Sequence, residues 1–288
     1  MQVNLRKWFF AAMLSSFSLS AMEWPSQEAA MVRNFGYNDQ GRPVLGVVFE
    51  GQGQVSASKE GELIFSRTWG DTASRLPSPL GAWSVVDHGD GMLSVYGRYM
   101  DEERSVKLRQ VDRGTPVALA GASGWSRRDG FYFLLYDRKE RRWVNPSMVI
   151  APFSGERLPQ ISGVQLRNTQ GRLTEGSQIR VDQDLYTVAV NAVASSPNAG
   201  GRQYSPYRIV CSVNGIKVGT LLLDTITARD GILVVNRDGL VPALGVYSPY
   251  PAFEVGEIFL NRGQAILEIV VHDITGNSRS MLTRILVE

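Results

Sequence analysis

The amino-acid sequence predicts an all-β protein. Beyond the N-terminal segment, short runs of β-branched and aromatic residues alternate with turns that contain Gly, Asp or Asn, a pattern typical of antiparallel sheets. No stretch shows the apolar spacing of a long amphipathic helix. A chain of 288 residues that is 43% hydrophobic exceeds what one small domain needs, so we expect two β domains.

The predicted strands fall into two groups. Those of the first half span residues 45–49, 54–58, 63–66, 82–87, 92–99, 116–120 and 130–136, with turns such as 59–62 and 88–91 between them. Those of the second half span residues 161–167, 179–182, 186–192, 207–213, 232–236, 265–272 and 281–287. Their spacing is typical of a β-sandwich.

The first 21 residues are predicted to form a secretory signal peptide. Arg6 and Lys7 precede an apolar run from Trp8 to about Leu19, and small residues follow it, as in a cleavable signal. The run is shorter than the roughly 20 apolar residues of a spanning helix. We therefore expect an exported protein of the periplasm or cell envelope, with no transmembrane segment in the mature chain.

The domain boundary is predicted near Gly155. The segment 151–159 carries Pro152 and Pro159 on either side of this glycine, which is the composition of a linker. The predicted organisation is a signal peptide over 1–21, a first domain over 22–155 and a second domain over 156–288.

Charge and cysteine content exclude several classes of function. The formal net charge is +2, from 30 basic and 28 acidic residues, which does not favour nucleic acid as a partner. The pair Arg127–Arg128 and the run 138–142 are basic, and we interpret the run as a solvated hairpin tip rather than an anion site. Cys211 is the only cysteine, so no internal disulfide can form.

Several motifs between Asn34 and Pro146 carry a family resemblance. They are Asn34-Phe-Gly36, Arg42-Pro-Val-Leu-Gly-Val-Val48, the stretches 53–63, 85–99 and 111–124, the strand 130–136 and Val144-Asn-Pro146. In order and spacing this set resembles the lysostaphin-like (LytM-type) peptidoglycan endopeptidases. The resemblance implies a small antiparallel β domain that holds one zinc ion. The second half is similar to immunoglobulin-like β-sandwiches appended to secreted bacterial proteins.

The resemblance also implies that the family's chemistry is absent from this chain. Val44, Val48 and Phe133 fall at its three zinc-ligand positions, and Arg98 and Phe131 at its two further histidines. Hydrocarbon side chains have no lone pair to donate to zinc. The whole chain contains only His88 and His272, so a shifted alignment cannot rebuild the site. We expect no cofactor, no metal and no peptidase activity.

The position of the former cleft follows from the same alignment. Tyr96, Arg98, Phe131 and Phe133, with His88 nearby, are expected either to line this cleft or to fill it. His88 lies in a glycine turn between two carboxylates. A structural role and residual function both remain open for it.

These observations support three hypotheses of function. The first is a catalytically inactive envelope protein that binds peptidoglycan, or that regulates or scaffolds a cell-wall hydrolase or an envelope complex. The second is an active peptidoglycan metallopeptidase with a non-standard site. The third is a purely structural or adhesive two-domain β protein, since sandwiches such as the second half host many unrelated functions.

Overall fold

The computed structural model describes residues 21–68, 78–100, 109–151, 158–195, 202–248 and 252–288. The predicted boundary near Gly155 and all of the predicted signal peptide except Ala21 lie outside these residues. Within the described ranges the protein is all-β, as predicted, with short 3-10 turns at Pro146–Met148 and Ala243–Gly245. No helix in these ranges is long and apolar enough to cross a membrane.

Ten strands belong to the first half of the chain. They are β1 (Ala30–Arg33), β2 (Val47–Glu50), β3 (Gln54–Ser56), β4 (Gly61–Arg67), β5 (Ala82–Asp87), β6 (Met92–Tyr99), β7 (Gln110–Val111), β8 (Pro116–Leu119), β9 (Gly130–Asp137) and β10 (Arg142–Val144).

Twelve described strands belong to the second half. They are β11 (Leu158–Asn168), β12 (Leu173–Glu175), β13 (Gln178–Val181), β14 (Asp184–Ser195), β15 (Gln203–Tyr204), β16 (Arg208–Val213), β17 (Ile216–Arg229), β18 (Ile232–Arg237), β19 (Leu240–Pro242), β20 (Ala252–Leu260), β21 (Gly263–His272) and β22 (Ser278–Val287).

Strand β9 is the centre of the first half. Its first six residues are buried on both faces, which explains their continuous apolar run. Strand β6 pairs along one edge of β9, while β2 and β10 share the other. The sheet continues from β6 through β5 and β4 to β7, and β1 extends it beyond β2.

The same sheet runs on into the second half of the chain. Strand β10 pairs with β17, and the order then continues through β16, β21 and β22 to β13. A second sheet contains β12, β11 and β14, with β15 and β20 paired to β14. The two sheets enclose a core in which side chains such as Leu166, Val188, Leu221 and Ile269 are fully buried.

Each half contributes side chains to the core of the other half. Ala194 and Tyr204 pack into the first-half core, and Phe35 packs into the second-half core. The Tyr204 hydroxyl donates to the Met31 carbonyl oxygen over 2.9 Å. The halves are therefore in direct contact, both through these side chains and through the pairing of β10 with β17. Their division into domains at residue 155 stays a prediction.

Candidate functional site

The pairing of β2 with β9 decides which predicted site residues share one face of the sheet. Val48 lies opposite Tyr132, and Phe49 lies opposite Phe131. Directly paired residues project to the same face, whereas neighbours along a strand project to opposite faces. Phe131 and Phe133 therefore lie on the face opposite to Val48. The structure does not bring Val48 and Phe133 together, although the resemblance assigned both to zinc-ligand positions.

The predicted cleft aromatics are packed in the first-half core. Tyr96 and Phe133 are 0% exposed and Phe131 is 1% exposed. Phe131 stacks on Phe49 at 4.6 Å between ring centroids, and Phe133 lies 5.5 Å from the Tyr96 ring. The Tyr96 hydroxyl accepts the Ser58 backbone N–H over 2.8 Å, and burial raises the pKa of Tyr96. These aromatic rings fill space inside the protein.

His88 connects the turn at 59–62 to strand β6. Its Nδ1 lies 2.7 Å from the Glu60 carbonyl oxygen and its Nε2 lies 3.0 Å from the Ser94 hydroxyl. Because a carbonyl only accepts, Nδ1 carries the proton in the neutral ring. Burial lowers the pKa of His88 below its usual 6.5. Neutral His88 thus braces this turn against the hairpin of β5 and β6.

On the other face of the sheet lies a small apolar cluster, defined here as Val44, Val48, Tyr132 and Leu134. Val44, Tyr132 and Leu134 are buried, and Val48 packs against them half-buried. The Tyr132 hydroxyl accepts the Leu45 backbone N–H over 3.0 Å. Burial raises the pKa of Tyr132 to about 12, so the phenol stays neutral near pH 7.

A zinc ion does not fit the residues of the apolar cluster. Zinc in proteins takes nitrogen, thiolate or carboxylate ligands, whereas the cluster offers three aliphatic side chains and one neutral phenol. Across the described ranges, no group of three or more His, Cys, Asp or Glu residues is placed to hold a metal.

Arg98 lies at the edge of the apolar cluster in a fixed orientation. Its guanidinium carbon is 4.9 Å from the centroid of the Tyr132 ring, a cation–π contact. Its Nε donates to the Pro79 carbonyl oxygen over 3.3 Å. The backbone has φ +64°, which is uncommon for a residue with a side chain. Burial lowers the pKa of Arg98, but a guanidinium keeps its charge.

Beside the apolar cluster opens a cleft of about 890 Å³, here called the arginine cleft. This volume lies within the range of about 300–1,000 Å³ of small-ligand sites. Its lining includes the apolar side chains of Val32 and Val48 and the exposed Trp125. The charged residues that line it are Arg33, Arg42, Arg98, Arg127, Arg128, Asp39 and Glu50.

A tight hairpin turn places Arg42 in the arginine cleft. The backbone N–H groups of Asp39 and Arg42 each donate to the carbonyl oxygen of the other, over 2.8 and 3.2 Å. The two residues between them, Gln40 and Gly41, have φ of 53° and 85°, as a two-residue turn of this kind requires. The turn is tied back to β1 by the ion pair of Asp39 with Arg33 at 2.8 Å.

The loop between β8 and β9 supplies the lining residues Trp125, Ser126, Arg127 and Arg128. This loop crosses the turn before β5 so closely that a Cβ on Gly81 would lie 2.3 Å from the Gly124 backbone nitrogen. The Trp125 backbone N–H donates to the Pro79 carbonyl oxygen over 3.2 Å. The backbone of the loop is thereby fixed, while the Trp125 side chain remains 71% exposed.

The predicted site residues divide into two sets in the structure. Arg98 and Val48 line the arginine cleft, and Phe131 borders it although its side chain is 1% exposed in the core. Val44, Tyr96, Phe133 and His88 do not line the cleft. Sequence reasoning missed Tyr132 and Leu134 on the Val48 face, and also Arg33, Arg42 and Trp125. The arginine pair at 127–128 was visible in the sequence, but nothing there connected it with the turn at 39–42. Alternation along β9 would have separated the two faces once its register with β2 was known.

The fold and the site define an all-β protein with an arginine-lined cleft on its larger sheet. A protein-family model matches residues 158–288, and no curated protein matches the chain. Solved structures similar to the chain include the catalytic domain of a mutant of the prophage-encoded protein EnpA from Enterococcus faecalis. It is 20% identical, covers 41% of this chain and 89% of its own, and has a TM-score of 0.34.

Two further solved structures show likeness at the same level. Lysostaphin, the antimicrobial peptidase from Staphylococcus simulans, is 13% identical over 75% of this chain and 87% of its own, with a TM-score of 0.34. The SpoIIQ–SpoIIIAH pore-forming complex is 17% identical over 46% of this chain and 92% of the matched chain, with a TM-score of 0.33.

Proposed function

We propose that the protein is a non-catalytic binding protein of the bacterial cell envelope, in which the arginine cleft binds peptidoglycan. The observation that carries the proposal is the contrast between the apolar cluster and the arginine cleft, which share Val48. The apolar cluster is filled by its own side chains, whereas the cleft beside it stays open with charged walls. The apolar cluster offers zinc no nitrogen, thiolate or carboxylate ligand, but an open polar cleft can bind a ligand.

The sheet register supports one adjustment to the family resemblance. If the family's His-x-His-Phe element corresponds to Tyr132-Phe-Leu134-Leu135, its two histidine positions become Tyr132 and Leu134. These residues pack with Val44 and Val48, and Arg98 lies over Tyr132. All five positions then meet at one point, and none carries a zinc ligand. This arrangement supports a peptidase-like domain without peptidase chemistry.

The envelope location rests on the predicted signal peptide over residues 1–21. An exported protein reaches the peptidoglycan directly. The second half, which continues the sheet through β17, would then support the arginine cleft and offer surface for an envelope partner, such as a cell-wall hydrolase. A purely structural role for both halves would leave the open cleft without a ligand.

The proposal is tested with the full mature chain, from residue 22 onward, and isolated sacculi. We expect sacculi to retain the protein in a sedimentation assay, purified protein to contain substoichiometric zinc, and muropeptide release to stay at the level of buffer alone. Zinc at one equivalent together with muropeptide release would establish the active metallopeptidase instead. Absence of retention would contradict peptidoglycan binding and favour a structural or protein-binding role.

A further inference from the structure

We infer that the arginine cleft binds an acidic peptide, with carboxylates on its guanidinium groups and apolar side chains against Val32, Val48 and Trp125. This inference rests on the proposed function and adds the chemistry of the ligand. Planar guanidinium groups match carboxylates in a bidentate geometry that a lysine ammonium does not offer. The positive charge of the cleft comes entirely from arginine.

The arginine cleft has more positive charge than its own acids neutralise. Five arginines and two acids line it, which leaves an excess of three positive charges. Both acids are already engaged, Asp39 with Arg33 at 2.8 Å and Glu50 with Arg128 at 3.1 Å. In the described part of the chain, Arg42, Arg98 and Arg127 have no ion pair with an acidic side chain. These are the guanidinium groups available to an anionic ligand.

Arg98 is oriented before any ligand arrives. Its contacts with the Tyr132 ring and the Pro79 carbonyl oxygen hold the guanidinium at the cleft edge. A group that is already ordered loses less conformational entropy on binding, which increases affinity. Arg42, on the hairpin turn, and Arg127, on the loop after β8, are exposed and line the same cleft as Arg98. An extended ligand with several carboxylates can therefore pair with more than one of these arginines.

The apolar parts of the cleft favour a peptide over a phosphate polymer. Val32 and Val48 contribute apolar lining, and Trp125 exposes its indole to the cleft. Exposed tryptophan beside arginine is the composition of binding hot spots. A phosphate polymer would pair with the arginines but has no side chain for the apolar lining. A peptide that carries both carboxylates and small apolar side chains matches both kinds of surface.

The test uses the full mature chain and three probes of matched length. The first is a synthetic peptide of alternating glutamate and alanine, the second has glutamine in place of each glutamate, and the third is a linear polyphosphate. Binding is measured by isothermal titration calorimetry at low salt and again near physiological salt. We expect the acidic peptide to bind about tenfold or more tightly than its glutamine counterpart, and salt to reduce the difference.

Matched variants locate the binding. The double variant Arg42→Gln/Arg127→Gln should weaken binding of the acidic peptide about tenfold, and Trp125→Ala should weaken it to a similar extent. The control variant Arg229→Gln/Arg262→Gln removes the same charge from exposed positions of the second half. It should bind like the parent protein. Circular dichroism confirms that each variant is folded.

Several outcomes would overturn the inference. These are equal binding of the glutamine peptide, binding of polyphosphate without the acidic peptide, or equal losses in the cleft and control variants. Retention by sacculi without binding of the acidic peptide would refute this ligand chemistry and leave the proposed function standing. Binding of the acidic peptide without retention by sacculi would contradict the proposed function and leave this ligand chemistry standing.

Discussion

The substitution Phe133→Ala tests whether this residue belongs to the core or to a ligand cleft. The side chain is 0% exposed and its ring lies 6.3 Å from Trp24 and 5.5 Å from Tyr96. Truncation of a fully buried phenylalanine costs about 3–5 kcal/mol, since it loses transfer free energy and leaves a cavity. The melting temperature should fall by about 6–20 °C, at roughly 2–4 °C for each kcal/mol in a chain of this size.

Val48→Ala is the matched control, because Val48 is half-buried on the opposite face of the same sheet. It should cost only about 1 kcal/mol. Both free energies of unfolding come from urea denaturation followed by tryptophan fluorescence and by far-ultraviolet circular dichroism. Equal, small costs of under about 1 kcal/mol for both variants would refute the assignment of Phe133 to the core.

Three further predictions concern His88, Gly81 and Asn145. Burial lowers the pKa of His88, so the unfolded chain takes up this proton at a higher pH than the folded chain does. The free energy of unfolding should therefore be highest above pH 6.5 and should decline as the pH falls through the lower pKa of the folded state. In urea titrations at several pH values, His88→Gln should make the free energy of unfolding depend less steeply on pH. An unchanged pH dependence would contradict the lowered pKa of His88. Gly81→Ala should cost about 1–3 kcal/mol through the clash with Gly124 and should weaken acidic-peptide binding. Gly114→Ala is the control, because Gly114 also has a positive φ, of 84°, but nothing lies within 4 Å of the added Cβ. It should leave peptide binding intact. Equal losses of binding in the two variants would show that the clash with Gly124 does not affect the cleft. Asn145 donates from Nδ2 to the Leu223 carbonyl oxygen over 2.9 Å, so Asn145→Ala should cost about 1–3 kcal/mol by leaving a buried acceptor unpaired. An unchanged thermal midpoint would show that this link between the halves contributes nothing.

The all-β class could be predicted because most strands alternate or form short apolar runs. Every predicted strand overlaps an observed one. Strand β17 was missed because Leu221, Leu222 and Leu223 are consecutive, and such a run does not distinguish a strand from a buried helical segment. A shift in register between Leu222 and Ile226 breaks its periodicity further. This missed strand is the one that joins the two halves through β10.

The site could be predicted only in part, because a sequence does not state strand register. Alternation shows that Phe131 and Phe133 share a face, but it does not show that Val48 pairs with Tyr132. A shift of one residue moves every side chain of a strand to the other face. The arginine cleft was still less accessible to sequence reasoning, since Arg42 and Arg127 are 85 positions apart in the sequence. Only the folded sheet places both against the same opening.

The positive charge of the arginine cleft is the strongest physical argument for a ligand. The apolar cluster stabilises the fold, because Val44 and Leu134 are buried and Val48 packs against them half-buried. Arg42 and Arg127 are exposed and bury no core surface, so they do not stabilise the fold in this way. Fold stability alone therefore explains the apolar cluster but not the charges beside it, whereas an anionic ligand explains why Arg42, Arg98 and Arg127 line one opening.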